Sequence, residues 1–81
     1  MQCHNLKILP QYFKAVVDGT KKFELRKNDR DYQVGDCIFL NEYDGTNYTG
    51  NSLPVMITYL LKGGQYGLED GYVILSIEDV K

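Results

Sequence analysis

Apolar residues in this chain recur at every second position in five short stretches and at helical spacing in one. That imbalance restricts the fold to a small sheet carrying a single helix. The alternating stretches are residues 3–9 (CHNLKIL), 21–27 (KKFELRK), 37–43 (CIFLNEY), 53–61 (LPVMITYLL) and 72–77 (YVILSI). In the first, His4, Leu6 and Ile8 share one face, and Cys3, Asn5, Lys7 and Leu9 the other. The helical stretch lies between Pro10, which suits a first turn, and Gly19, which suits a helix end. Within it Tyr12, Phe13, Val16 and Val17 make one apolar stripe. Turn formers separate the remaining strands. NDRDYQVGD precedes the third, and DGTNYTGN carries a tight turn at Asp44-Gly45 or Gly50-Asn51. KGGQYGLEDG, with four glycines in ten residues, reads as a mobile flap over one end. Pro54 fits only the start of its strand or an edge.

This order predicts a mostly β (α+β) fold. It is a small, largely antiparallel, partly closed barrel of about five strands, with one helix after the first strand plugging an end. Eighty-one residues hold one core, so residues 1–81 read as one domain. No apolar run approaches the ~20 residues of a membrane helix. The first ten residues are too short and too polar for a signal peptide. The expected location is therefore cytoplasmic, with no membrane partner.

Nine Lys and Arg against eleven Asp and Glu exclude a general polyanion binder. The charge is uneven, however. Residues 1–35 carry seven basic and four acidic groups, and residues 36–81 carry two and seven. Lys21, Lys22, Arg26, Lys27 and Arg30 fall within ten residues. Such a stripe either binds phosphate locally or is a solvated strand face. Cys3, Cys37 and the lone His4 are too few for a structural zinc site, so no metal is expected. Cys3 and His4 point to opposite faces and cannot share a proton. The Gly63-Gly64 loop lacks the Gly-Lys-Ser/Thr of a phosphate loop, and no cofactor motif is present.

Chemistry concentrates in Gly19-x-Lys21-x-x-Glu24-x-Arg26, followed by Asn28, Asp29 and Val34-Gly35-Asp36. The helix stops and a strand begins. Its outer face is expected to show Lys22, Glu24 and Arg26 about 7 Å apart, with Phe23 and Leu25 turned the other way. Glu24 then either bridges its cationic neighbours or leaves Arg26 to fork onto a phosphate. Tyr12, Tyr59 and Tyr72 lie in periodic segments and are expected in the core. Tyr32, Tyr43, Tyr48 and Tyr66 lie in or beside loops, and Tyr32, next to Arg30, is the candidate to stack on a base. His4 completes the set, as a ligand contact or as a strand histidine hydrogen-bonded in place.

The same motif, with its Val34-Gly35-Asp36 sequel, resembles the signature of ASCH domains in the PUA-like superfamily of small barrels. His4-x-Leu6-Lys7-Ile8, Tyr12-Phe13, Phe23-Glu24-x-Arg26-Lys27-Asn28-Asp29-Arg30, Glu42-Tyr43, Tyr48-Thr49-Gly50 and Gly71-Tyr72-Val73 extend the likeness to a small bacterial and phage family of unknown function in that group. The resemblance implies a PUA-like barrel and an RNA- or nucleotide-binding role. It assigns Lys21, Glu24 and Arg26 to a cleft beside the helix. Lys21, Arg26, Lys27 and Arg30 are then the phosphate contacts, with Glu24 orienting them.

Two further readings stand beside it. Some small ASCH proteins are amidohydrolases acting on acylated cytidine, with a Lys two residues after the Gly, a Thr three residues further on and a distal Glu. Lys21 matches, but Glu24 replaces the Thr. Lys21 and Glu24 would be the catalytic pair here, working by general acid–base chemistry. The other reading is a protein-interaction module or homodimer, using an apolar edge strand and the tyrosine-rich loops.

Overall fold

The structure, a computed structural model, describes residues 1–80. Strand β1 (Cys3–Ile8) leads into helix α1 (Pro10–Val17), then β2 (Phe23–Lys27), β3 (Cys37–Tyr43), β4 (Tyr48–Lys62) and β5 (Tyr72–Asp79). The strands form one sheet in the order β1-β3-β4-β5-β2. All neighbours are antiparallel except β1 and β3, which run parallel with Cys3 beside Cys37 and Leu6 beside Leu40. The sheet is thus mixed but largely antiparallel, as expected, with the one parallel pair unforeseen. The chain reaches β3 from β1 by way of α1 and β2, and so returns in the same direction.

β4 makes the sheet curl. At 15 residues it pairs with β3 through its first part and with β5 through its second, and a bulge between Ile57 and Tyr59 bends it between the two. Its start lies earlier than the sequence suggests. Asp44–Asn47 form the turn, with Gly45 at positive φ, and Tyr48 already pairs with Tyr43. The glycine-rich segment before β5 is no loose flap. Gly64 N–H donates to Leu68 O, Leu68 N–H to Gln65 O and Gly63 N–H to Tyr72 O. The result is a half-barrel whose concave side holds Leu6, Ile8, Ile38, Leu40, Val55, Ile57, Val73, Leu75 and Ile77, capped by Val16 and Phe13 of α1. Six of these side chains are fully buried, each contributing roughly 1.5–3 kcal/mol.

β2 faces the opposite way from expectation. Glu24 pairs with Leu75 and Arg26 with Val73, both fully buried, so the charged face turns inward. Phe23 and Leu25 are left 46% and 51% exposed on the convex side. Alternation fixed which residues share a face, but the register with β5 decided which face is inside. Tyr12 and Tyr59, expected in the core, are exposed as well.

Candidate functional site

The inward charges of β2 meet the open seam of the half-barrel. β1 and β2 are the two edge strands and share no backbone ladder. Arg26 donates from a terminal nitrogen to Lys7 O at 2.6 Å, and Arg30 donates to Asn5 O at 3.2 Å. Two guanidinium groups thereby occupy alternate carbonyls of the free β1 edge, groups that would otherwise invite another strand. Arg26 Nε lies 3.4 Å from Glu24 Oε2, and Lys21 Nζ lies 3.6 Å from Glu24 Oε1. Glu24 is only 5% exposed, and its Oε1 makes no hydrogen bond. The carboxylate is thus held between two cations inside the sheet rather than displayed on a surface.

Tyr32 and His4 are also interior. Tyr32 is 3% exposed, with its ring edge-on to His4 at 4.8 Å between centroids. A base cannot stack on a ring so enclosed, and the expected stacking role for Tyr32 is withdrawn. Burial pushes its hydroxyl up, with Arg30 and Arg26 opposing and Asp29 and Glu24 reinforcing. His4 Nε2 lies 2.9 Å from Asp36 Oδ2. An ionised carboxylate only accepts, so Nε2 is the donor. Asp36 also accepts from Gln2 N–H and Gln33 N–H. Burial pushes the Asp36 carboxyl up, but these three hydrogen bonds outweigh it and hold the group below its ordinary value. His4 is therefore a strand histidine hydrogen-bonded in place. It ties β1 to the turn before β3.

A cavity of about 410 Å³ opens at the corner where α1 hands over to β2. Gly19, at φ +84°, ends the helix, and Lys21 N–H reaches back to Ala15 O. Behind it lie Val16, Val55 and Ile77, all buried in the core. Lys21 and Lys22 line it together with Glu78 and Asp79 from the end of β5, whose Ile77 N–H donates to Lys22 O. Lys21 is largely committed. Its ammonium donates to Phe23 O at 2.7 Å and lies 4.7 Å from the Phe23 ring centroid and 5.7 Å from that of Tyr12. Lys22 is exposed and, among the described residues, makes no ion pair.

The candidate residues therefore separate. Lys21 lines the cavity, with Glu24 behind it. Arg26 and Arg30 close the seam, while His4 and Tyr32 pack inside. Lys27 extends from β2 in phase with Phe23 and Leu25, on the convex side. Lys22, Glu78 and Asp79 were missed as site residues. Lys22 was visible in the basic run. The carboxylates had no local signal, because only the β2–β5 pairing brings residues 78 and 79 beside residues 21 and 22. Among the described residues, no group of three or more His, Cys, Asp or Glu is placed to hold a metal. Among them, too, no helix is long and apolar enough to cross a membrane.

Residues 3–77 match the family described as a domain of unknown function (DUF3850). The chain belongs to that family. It is 38% identical over 72 residues to the "Uncharacterized 12.9 kDa protein in GpA 3'region" of Escherichia phage P2, covering 89% of this chain. The match takes in 64% of the phage protein, so the chain spans less than two thirds of that relative's length. Neither the family description nor the relative's name states an activity.

Proposed function

We propose that the half-barrel is a PUA-like domain of the ASCH kind, acting in the cytoplasm, and that its corner cavity binds RNA or a nucleotide. The carrying observation is the cavity itself. It opens beside an uncommitted lysine, Lys22, at the helix–strand corner, where the Gly19-x-Lys21 motif lies. Its volume falls in the lower range of small-ligand sites, which suits one nucleotide unit rather than a folded RNA. Lys22 takes the phosphate. Lys21, fixed by Phe23 O and Glu24, supplies a second positive charge. Arg26 and Arg30, tied to β1, are not phosphate ligands in this reading.

The test is equilibrium titration of a fluorescent single-stranded RNA tetranucleotide at ~50 and ~200 mM salt. One or two phosphate contacts give a slope of roughly −0.7 to −1.4 in log affinity against log salt. Lys22→Glu abolishes saturable binding while leaving the circular dichroism spectrum unchanged. Saturation with equal affinity for wild type and Lys22→Glu, or no saturation at low salt, overturns the assignment.

A second reading, the amidohydrolase, is favoured by one observation: Lys21 and Glu78 line the same cavity. A lysine and a carboxylate facing one pocket can exchange protons with a bound amide. Release of cytidine from an N4-acylated cytidine, lost in Lys21→Ala and in Glu78→Gln, supports it. No product at long incubation removes it.

A further inference from the structure

The two cysteines lie outside the corner cavity, and strand pairing sets them side by side. Cys3 and Cys37 are direct partners in the parallel β1–β3 ladder. Their chain neighbours His4 and Ile38 turn inward and are buried, so both thiols stand on the convex face. Hydrogen bonds on either side hold the pair level. Cys37 N–H donates to Gln2 O at 2.8 Å. Asp36, the residue before Cys37, accepts from Gln2 N–H and from His4 Nε2, the two residues that flank Cys3. Neighbouring strands run about 4.8 Å apart, within the roughly 4.4–6.8 Å that a disulfide needs between its Cα atoms. Both residues are nonetheless free thiols.

The two thiols are unequal. Cys3 is exposed, whereas Cys37 is half-buried and its thiol is pushed up to about 11, first by burial and then by Cys3. Cys3 is therefore the sulfur that meets an oxidant, and Cys37 stands behind it. We propose that Cys3 and Cys37 form an oxidative modification site for hydroperoxides, closing to an intramolecular disulfide that joins β1 to β3. The site is independent of the nucleotide-binding reading. With hydrogen peroxide, the Cys3 thiolate attacks one peroxide oxygen and the O–O bond breaks. Hydroxide leaves, takes up a proton as water, and Cys3 becomes a sulfenic acid. The Cys37 sulfur then attacks the Cys3 sulfur. The S–O bond breaks, and the hydroxyl departs with the Cys37 proton as a second water. Two electrons pass from the thiols to the peroxide. The new bond encloses residues 3–37, α1 and β2 included, and pins the start of the edge strand β1. A reducing thiol reaches the exposed Cys3 sulfur first, which makes Cys37 the leaving group. A thiol that ionises so reluctantly leaves slowly, so the bond persists once made.

The experiment treats the reduced protein with a slight excess of hydrogen peroxide at pH ~8, blocks remaining thiols with iodoacetamide, and reads intact mass and melting temperature. The expected product is a monomer lighter by two hydrogens, with no thiol left to alkylate. It melts roughly 5–15 °C above the reduced protein, and dithiothreitol reverses both changes. That measurement needs no variant and is independent of any variant's folding. With dimedone present, Cys37→Ser accumulates trapped Cys3 sulfenic acid well above wild type, where Cys37 removes it. Oxidised Cys3 beside an alkylated Cys37, a disulfide between two copies, or two unreacted thiols overturns the proposal. So does a disulfide that fails to raise the melting temperature, or equal dimedone trapping in the two proteins.

Discussion

Removing the guanidinium of Arg26 tests whether that side chain holds the half-barrel closed. Arg26→Ala deletes the 2.6 Å bond to Lys7 O, a charge-assisted hydrogen bond of about 1.5–3 kcal/mol. It also leaves Glu24, 5% exposed, with Lys21 at 3.6 Å as its remaining cation. Breaking a fully buried ion pair from one side costs about 3–5 kcal/mol, but Arg26 is a quarter exposed and Lys21 stays, so only part of that applies. The expected loss is about 2–4 kcal/mol, a large share of the ~4–12 kcal/mol ordinary for a chain of this size. Urea unfolding followed by circular dichroism reads it as a midpoint lowered by roughly 2–4 M, with m near ~1 kcal/mol/M. Pairing Arg26→Met with Glu24→Leu removes both charges and is expected to recover most of the loss, to within about 1 kcal/mol of wild type. A midpoint shift worth under ~0.5 kcal/mol for Arg26→Ala refutes the seam role. So does a double variant as unstable as its two single changes added together.

Other expectations follow from the same geometry. Asp36 binds its proton less readily folded than unfolded, so its stabilisation is present above the unfolded value near ~3.9 and fades as pH falls through the lower native value. Asp36→Asn is expected to cost about 1–3 kcal/mol at pH 7 and to lose less than wild type on going to pH ~3, read from urea midpoints at both. Gly63→Ala would drive a Cβ into the backbone carbonyl of Glu69 and crowd that of Tyr72 at 2.9 Å. Thermal melts are expected to show a loss of roughly 1–3 kcal/mol, and an unchanged melting temperature would contradict the close approach. Cys37 is half-buried and its thiol, raised first by burial and then by Cys3, is pushed up to about 11. Iodoacetamide at pH ~8 should therefore label the exposed Cys3 well before Cys37, whose thiolate fraction is roughly a thousandth, as peptide mass mapping would read.

The elements were legible because each is a local pattern. Pro10, the Tyr12–Val17 stripe and Gly19 bracket α1, and period-two alternation marks every strand. Local pattern could not give the parallel β1–β3 pair, which depends on β2 leaving for the far edge of the sheet. Nor could it tell the inside of β2 from the outside. A strand reading Lys-Phe-Glu-Leu-Arg looks like one with Phe23 and Leu25 in the core. Only the β5 register and the unladdered seam, where Arg26 finds Lys7 O, turn Glu24 inward. The same gap explains the site. Lys21 was found from its own motif, while Glu78 and Asp79 join it across 57 residues of chain through cross-strand pairing. A loop position flanked by charges suggests an exposed Tyr32, whereas the loop folds its ring onto His4.

Amide chemical-shift mapping of the labelled protein during titration with the single-stranded RNA tetranucleotide addresses the cavity most directly. The expected result is saturable shifts concentrated at residues 16–22 and 77–79. Shifts centred elsewhere, or a spectrum unaltered at millimolar nucleotide, would contradict a ligand seated in the corner cavity.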